Sequence, residues 1–287
     1  MEQQERALAA YIDTVREHPA TLAVIVVGSV ARGDERAESD VDVYLVVDDA
    51  SFTAASAENR LAWIERRDAD YPGSYIDIKL SSPGYLAAAA EHGDDPTRAS
   101  FAGARVAYAR RDASRVDESS VDGSSVDESS VDGSSVDAPD LDDLIGRITR
   151  LPDGEWEERV RSHLAQVRLH GGYFLRQAAE RGDEFLLRHA ALHLALAAAR
   201  AAFAADRTLL QGPKYVSRTL RGVPTPEGFL EAWDDVVACP GLDTGERLMR
   251  LVEEWLGDRL DADRTLSTFI RDNELAWLRG GVPAEYY

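Results

Sequence analysis

Two seven-residue runs, Thr21–Val27 (TLAVIVV) and Val41–Val47 (VDVYLVV), constrain this chain more than any other feature. Both are rich in β-branched residues and of strand length, so each reads as a buried strand. The stretch between them is polar. Gly28-Ser29-Val30-Ala31-Arg32-Gly33 closes the first run, and Ser39-Asp40-Val41-Asp42 opens the second. Gly28 tolerates any backbone angle, so a turn begins there. If residues 29–32 then start a short helix, their free N–H groups and the helix dipole face outward, where a phosphate oxygen can accept them. The Ser29 hydroxyl adds a donor.

Asp40 and Asp42 are two apart at the head of a strand, so both carboxylates point to one face, roughly 6 to 7 Å apart at Cα. Bare carboxylates this close repel, whereas a hard cation such as Mg²⁺ prefers oxygen ligands and joins protein carboxylates to substrate phosphates. A third acid follows in Tyr75-Ile76-Asp77-Ile78-Lys79-Leu80, which alternates so that Asp77 and Lys79 share the face opposite Ile76, Ile78 and Leu80. Paired beside the Asp40/Asp42 strand, roughly 5 Å away, this strand would bring three acids together.

These residues carry a resemblance. Gly-Ser-x-Ala-x-Gly, then Ser-Asp-x-Asp-hydrophobic, then an isolated hydrophobic-Asp-hydrophobic strand resembles the minimal nucleotidyltransferase branch of the DNA polymerase β superfamily, which includes kanamycin nucleotidyltransferase. The motifs span about residues 21–80. The resemblance implies that Gly28 and Ser29 hold nucleotide phosphates, that Asp40 and Asp42 bind catalytic metal, and that Asp77 is the third ligand, with the role of base open to it. It implies Mg²⁺, with Mn²⁺ as substitute, and ATP or another NTP as substrate. Ser39, within the second motif, joins the candidate nucleotide-binding set.

Lysine usage adds two candidates. Of 32 basic residues only Lys79 and Lys214 are lysines. Lys79 shares a strand face with Asp77 and is in position to approach a phosphate. Lys214, in Gly212-Pro213-Lys214-Tyr215, resembles the basic residue after a proline in the helical domain of some kanamycin-nucleotidyltransferase-like proteins. At a helix start it meets an unfavourable dipole unless an anion compensates.

Residues 116–137 repeat Val-Asp-Glu-Ser-Ser and Val-Asp-Gly-Ser-Ser, too polar to bury anything, and read as a disordered acidic tether. The expected organisation is therefore a catalytic domain at 1–111, a linker at 112–139 and a helical acceptor-binding domain at 140–287. The fold class is α/β (α+β), a small mixed sheet followed by an all-α bundle. Helices are expected at 3–17 and 54–67, a short one after Ser82-Pro83, and a last strand at 104–109. Further helices are expected at 141–149, 156–180, 184–204, 213–220, 226–237, 246–259 and 264–278. Trp156, Trp233, Trp255 and Trp277 read as core and interface anchors. Gly171-Gly172 interrupts the long helix for close approach of another element.

The net charge is −20; without the seven acids of the repeat about −13 remains on the folded parts, which disfavours a nucleic-acid partner and favours small substrates. Cys239 is alone, so no internal disulfide forms. The acidic start MEQQER lacks a signal peptide's basic and apolar regions, and no stretch suits a membrane span. The cytoplasm is the expected location.

The reading is a metal-dependent transfer of NMP to a hydroxyl of a small-molecule or protein acceptor, with release of pyrophosphate. Two alternatives stay open. One is an antitoxin-like or nucleotide-binding module without turnover. The other is a ribonuclease of the HEPN type, because Arg188 and His193 resemble that motif on a helix. A His189/His193 zinc site lacks Cys or a further His nearby in the sequence.

Overall fold

The computed structural model describes residues 2–66, 71, 75–110 and 140–286. The acidic repeat, and the linker expected at 112–139, lie outside the described residues. Two compact units are present, Met1–Gly93 with Ser100–Thr149, and Asp94–Ala99 with Arg150–Tyr287.

The first unit contains α1 (Glu2–Val15), β1 (Thr21–Val27), α2 (Gly28–Arg32), β2 (Val41–Val47), α3 (Asp49–Ala57), β3 (Ala62–Glu65), β4 (Ile76–Ser81) and α4 (Pro83–His92). After α5 (Asp95–Ser100), it is completed by β5 (Arg105–Ala109) and α6 (Leu141–Thr149). The five strands form one mixed sheet in the order β3-β4-β2-β1-β5. β2 and β4 are parallel and the other pairs antiparallel. β1 and β2 are central and buried on both faces, which is why their sequences are nearly continuous apolar runs. One face packs Val24, Val26, Val43 and Ile78 against Ala7, Leu8 and Tyr11 of α1. The other packs Ile25, Tyr44 and Val46 against Leu86 and Ala89 of α4 and Leu144, Ile145 and Ile148 of α6. Thus α6, counted with the helical half in the sequence, packs with the sheet, because its apolar stripe completes that second core.

The helix expected at 54–67 is not formed as such. Asp48 accepts from the Ser51 N–H at 2.8 Å and starts α3 earlier, and Asn59 in the left-handed region (φ 55°) follows its end. Residues 62–65 instead pair with β4 as an edge strand, with Ile64 opposite Asp77. Backbone pairing at a free sheet edge here outweighs a weak helical pattern.

The second unit is helical: α7 (Asp153–Arg168), α8 (Leu175–Arg181), α9 (Glu184–Ala205), α10 (Val216–Leu220), α11 (Phe229–Ala238), α12 (Leu242–Leu256) and α13 (Thr265–Phe269). Between α7 and α8 the chain continues through a π turn, Leu169–Phe174, and a second π turn, Ile270–Glu274, follows α13. α9 is lined with buried alanines, so neighbouring helices approach it closely. A Cβ on Gly171 would lie 3.2 Å from both Leu194 Cδ1 and Met249 Cβ, so the close approach expected at the glycine pair is present. Trp233 is buried with its indole N–H donating to the Ala195 carbonyl at 2.8 Å, and Trp156 is also buried. Trp277 departs from the expected anchor role: it is 68% exposed at the rim of a cavity. Among the described residues no helix is long and apolar enough to cross a membrane.

Candidate active site

The loop from β1 to β2 brings its two ends together because the strands are antiparallel, with Val27 directly opposite Asp42. Gly28 therefore begins beside the Asp42 side chain. It has φ +72°, and a Cβ there would stand 2.3 Å from Asp42 Oδ2. Only glycine satisfies both demands, the left-handed backbone and the missing side chain. Ser29 follows in α2, half-buried, with its carbonyl accepting from the Asp34 N–H at 2.9 Å.

Parallel pairing of β2 with β4 places Asp42 opposite Asp77 and Tyr44 opposite Lys79. Side chains at paired positions of adjacent strands point to the same face, so the two carboxylates are neighbours across the ladder. Both are half-buried, whereas the next positions along that face of β2, Tyr44 and Val46, lie in the core. The acids thus sit where the helical cover of the sheet ends.

Asp40, half-buried and just before β2, is tied to this patch by Tyr75. The Tyr75 hydroxyl donates to the Asp40 carboxylate; that hydrogen bond and the Asp40 charge, then burial and the charges of Asp77 and Asp42, push its pKa up to about 12. One hydroxyl therefore feels the charge of all three carboxylates, although their ligand atoms do not all lie within 4.8 Å of one another. Tyr71 donates to the Ser39 carbonyl at 2.9 Å, and burial followed by the Asp40 charge raises its pKa as well. Neither tyrosine figured among the sequence candidates. The available signal was strand alternation, which puts Tyr75 on the face of Asp77.

The remaining candidates are placed differently. The Ser39 hydroxyl accepts from the Arg36 N–H at 2.9 Å and so closes the loop that leads to Asp40. Lys79 is exposed, two positions along the face from Asp77, with its ammonium 5.8 Å from the centre of the Tyr44 ring. Lys214 belongs to the second unit, where it is exposed and its ammonium lies over the Tyr215 ring at 4.9 Å. A cavity of about 710 Å³ in the first unit opens elsewhere, against Leu45, Val47, Ser51 and Trp63, and none of the candidate residues lines it.

Three carboxylates beside a glycine turn offer oxygen ligands alone, the donor set of a hard divalent cation, and β2 and β4 hold two of them on a rigid ladder. In chemistry that donor set suits Mg²⁺ or Mn²⁺, and the three acids would have to draw closer to share one ion, since their oxygens do not all lie within 4.8 Å of one another.

In the helical unit, Arg188 is exposed and paired with Glu184 at 3.4 Å, while His193, five residues on, stacks against His170 at 4.9 Å between ring centres. Burial, then His193 and His189, push the His170 pKa down to about 3, so its ring is neutral and its 3.6 Å approach to Glu285 is not an ion pair at neutral pH.

Residues 8–86 match the family model described as a nucleotidyltransferase domain. Gly28, Ser29, Ser39, Asp40, Asp42, Asp77 and Lys79 all fall within the matched residues, and Lys214 does not. In structure, the chain is similar to a nucleotidyltransferase-like protein from Exiguobacterium sibiricum 255-15. The two share 13% identity over 96% of this chain and 80% of that chain, with a TM-score of 0.45. No curated protein matches the sequence. The domain match supports a transferase of phosphorus-containing groups.

Proposed function

We propose that the first unit transfers a nucleoside monophosphate from an NTP, ATP first among them, to the hydroxyl of a small-molecule or protein acceptor, releasing pyrophosphate. The observation that carries this reading is the in-register pair Asp42 and Asp77, joined by Asp40 through Tyr75, inside the residues that match a nucleotidyltransferase domain. The subfamily reading, with its likeness to kanamycin nucleotidyltransferase, rests on the spacing of the Gly-Ser and Asp-x-Asp motifs.

Asp40, Asp42 and Asp77 would hold Mg²⁺, which supplies positive charge against the phosphate oxygens. The chain's own residues do the rest. Gly28 lets the backbone turn away directly beside Asp42, so the first N–H groups of α2 and the Ser29 hydroxyl are offered to phosphate next to the carboxylates. Lys79 stands on the same face and counters phosphate charge. Tyr75 holds the Asp40 carboxylate in place by its hydrogen bond. Phosphoryl and nucleotidyl transfers need little covalent help from a protein, so positioning and charge are the contribution these residues have to make.

The test is transfer of label from α-labelled ATP, CTP, GTP and UTP, with Mg²⁺ or Mn²⁺, to cell extract and to a panel of aminoglycosides. Labelled product is expected with the wild type and a loss of about a hundred- to a thousandfold with Asp40→Asn or Asp42→Asn, the range that removal of one charge-stabilising group commonly gives. Binding of MgATP without any transfer would sink the enzyme reading and favour a nucleotide-binding module. No binding at all would sink the site.

A further inference from the structure

Three side chains that the active site does not use converge in the helical unit. His170 comes from the π turn Leu169–Phe174, His193 from α9 and Glu285 from the short 3-10 turn Ala284–Tyr286. One ligand atom from each lies within 4.8 Å of the others. His170 is 2% exposed, and neither of its ring nitrogens has a hydrogen-bond partner. Packing alone does not account for it, since a phenylalanine would fill the same space without two stranded polar atoms. A buried polar group left in this state calls for a partner that the protein chain does not provide.

The surroundings are built around this point. Both π turns border one cavity of about 450 Å³, the first through His170 and Phe174 and the second through Asn273 and Glu274. π turns inserted among helices are found mostly at functional sites. Asn273, 4% exposed, accepts from the Glu285 N–H at 2.9 Å and donates to the Phe269 carbonyl at 3.0 Å, so the segment carrying the carboxylate is itself held. His170 Nε2 and Glu285 Oε2 are 3.6 Å apart. Two ligands at about 2.0 to 2.1 Å from one tetrahedral ion stand about 3.4 Å apart, so this edge is nearly formed.

We propose that His170, His193 and Glu285 bind a divalent transition metal of the zinc class, with a further coordination position open to the cavity beside His189 and Trp277. The donor set decides the ion. Two imidazoles with one carboxylate suit zinc, cobalt or nickel and do not suit Mg²⁺, which keeps to oxygen. Three protein ligands with one position free is the arrangement of zinc sites that accept water or a ligand group, whereas purely structural sites are closed by four. Ligand atoms at up to 4.8 Å draw together by side-chain rotation when the ion enters. The assignment is independent of nucleotidyl transfer and survives if that reading fails.

The full chain, stripped of metal by a chelator, is titrated with Co²⁺ in the presence of excess Mg²⁺, and uptake is read by visible absorption and by equilibrium dialysis. One equivalent of Co²⁺ is expected, with the strong d–d absorption of a four- or five-coordinate site, and Zn²⁺ should displace it. His193→Gln and Glu285→Gln should each weaken uptake by about a hundredfold or more, and Asp42→Asn should leave it unchanged. Circular dichroism reports whether each variant is folded; should His193→Gln unfold, the isosteric Glu285→Gln decides. The proposal is overturned if no such absorption develops, if uptake is unmoved in the folded ligand variants, or if it disappears in Asp42→Asn.

Discussion

Gly28 and Asp42 are a single feature reached from two strands. The glycine is at φ +72° and a Cβ would lie 2.3 Å from the Asp42 carboxylate, so Gly28→Ala forces either the backbone or a candidate ligand to move. We expect a stability loss of roughly 1 to 3 kcal/mol, measured by urea unfolding, together with a drop in nucleotidyl transfer of at least about tenfold. Unchanged transfer would mean that the Asp42 position is not critical. A second residue-scale expectation concerns acid. Burial, then the guanidiniums of Arg200 and Arg159, hold the His163 pKa well below the ordinary 6.5. The unfolded chain takes up a proton near pH 6.5 that the folded chain refuses, so stability is full above that value and falls as pH drops below it. His163→Leu should flatten that slope between about pH 6.5 and pH 5 in urea midpoints, by up to one proton. At this scale the acids were legible, because strand alternation has a period of two and places Asp42 and Asp77 without knowledge of the rest. His170 and Glu285 were not legible, since no local period connects a residue on a π turn with one near the other end of the unit.

The elements follow local signals where those signals agree. β1, β2, β4 and α4 stand where apolar runs, Asp77 alternation and the Ser82-Pro83 start put them, with Ser82 accepting from the Tyr85 N–H at 3.1 Å. The failure at 54–67 has a cause in kind: Ala62–Glu65 is short and largely exposed, and it becomes a strand only because β4 presents a free edge. Neither that edge nor the π turns leave a mark in hydrophobic periodicity. Helix ends in the second unit are held by a side chain that periodicity also overlooks. Arg168, 13% exposed at the end of α7, pairs with Glu253 of α12 through two nitrogens and donates to the carbonyls of Gly257 at 3.1 Å and Leu260 at 2.9 Å. It also reaches the Thr265 hydroxyl at 3.0 Å. Arg168→Ala leaves a partly buried carboxylate and several carbonyls without their donor. A loss of about 3 kcal/mol is expected in urea unfolding, the lower end for a buried pair because Glu253 is one-third exposed. A loss below about 0.5 kcal/mol would show that these bonds are replaced by water at no cost.

For the whole molecule, charge is the property that the sequence states outright. A net charge of −20 repels itself in the folded state more than in the expanded one, and added salt shortens the reach of that repulsion. The melting temperature should therefore rise between about 0.1 M and about 1 M KCl, over which the screening length falls from about 10 Å to about 3 Å. A flat or falling curve would show that the surface ion pairs offset the excess. By itself the sequence determined the class of fold, a mixed sheet followed by helices, and the placing of acids at the heads of two strands, because burial, alternation and glycine turns act over a few residues. Tertiary structure alone decided that β2 and β4 lie parallel with Asp42 opposite Asp77, that α6 covers the sheet, and that His170 meets His193 and Glu285. Those outcomes depend on which surfaces find each other when the chain closes, and contacts between distant segments have no signature in the neighbourhood of either partner.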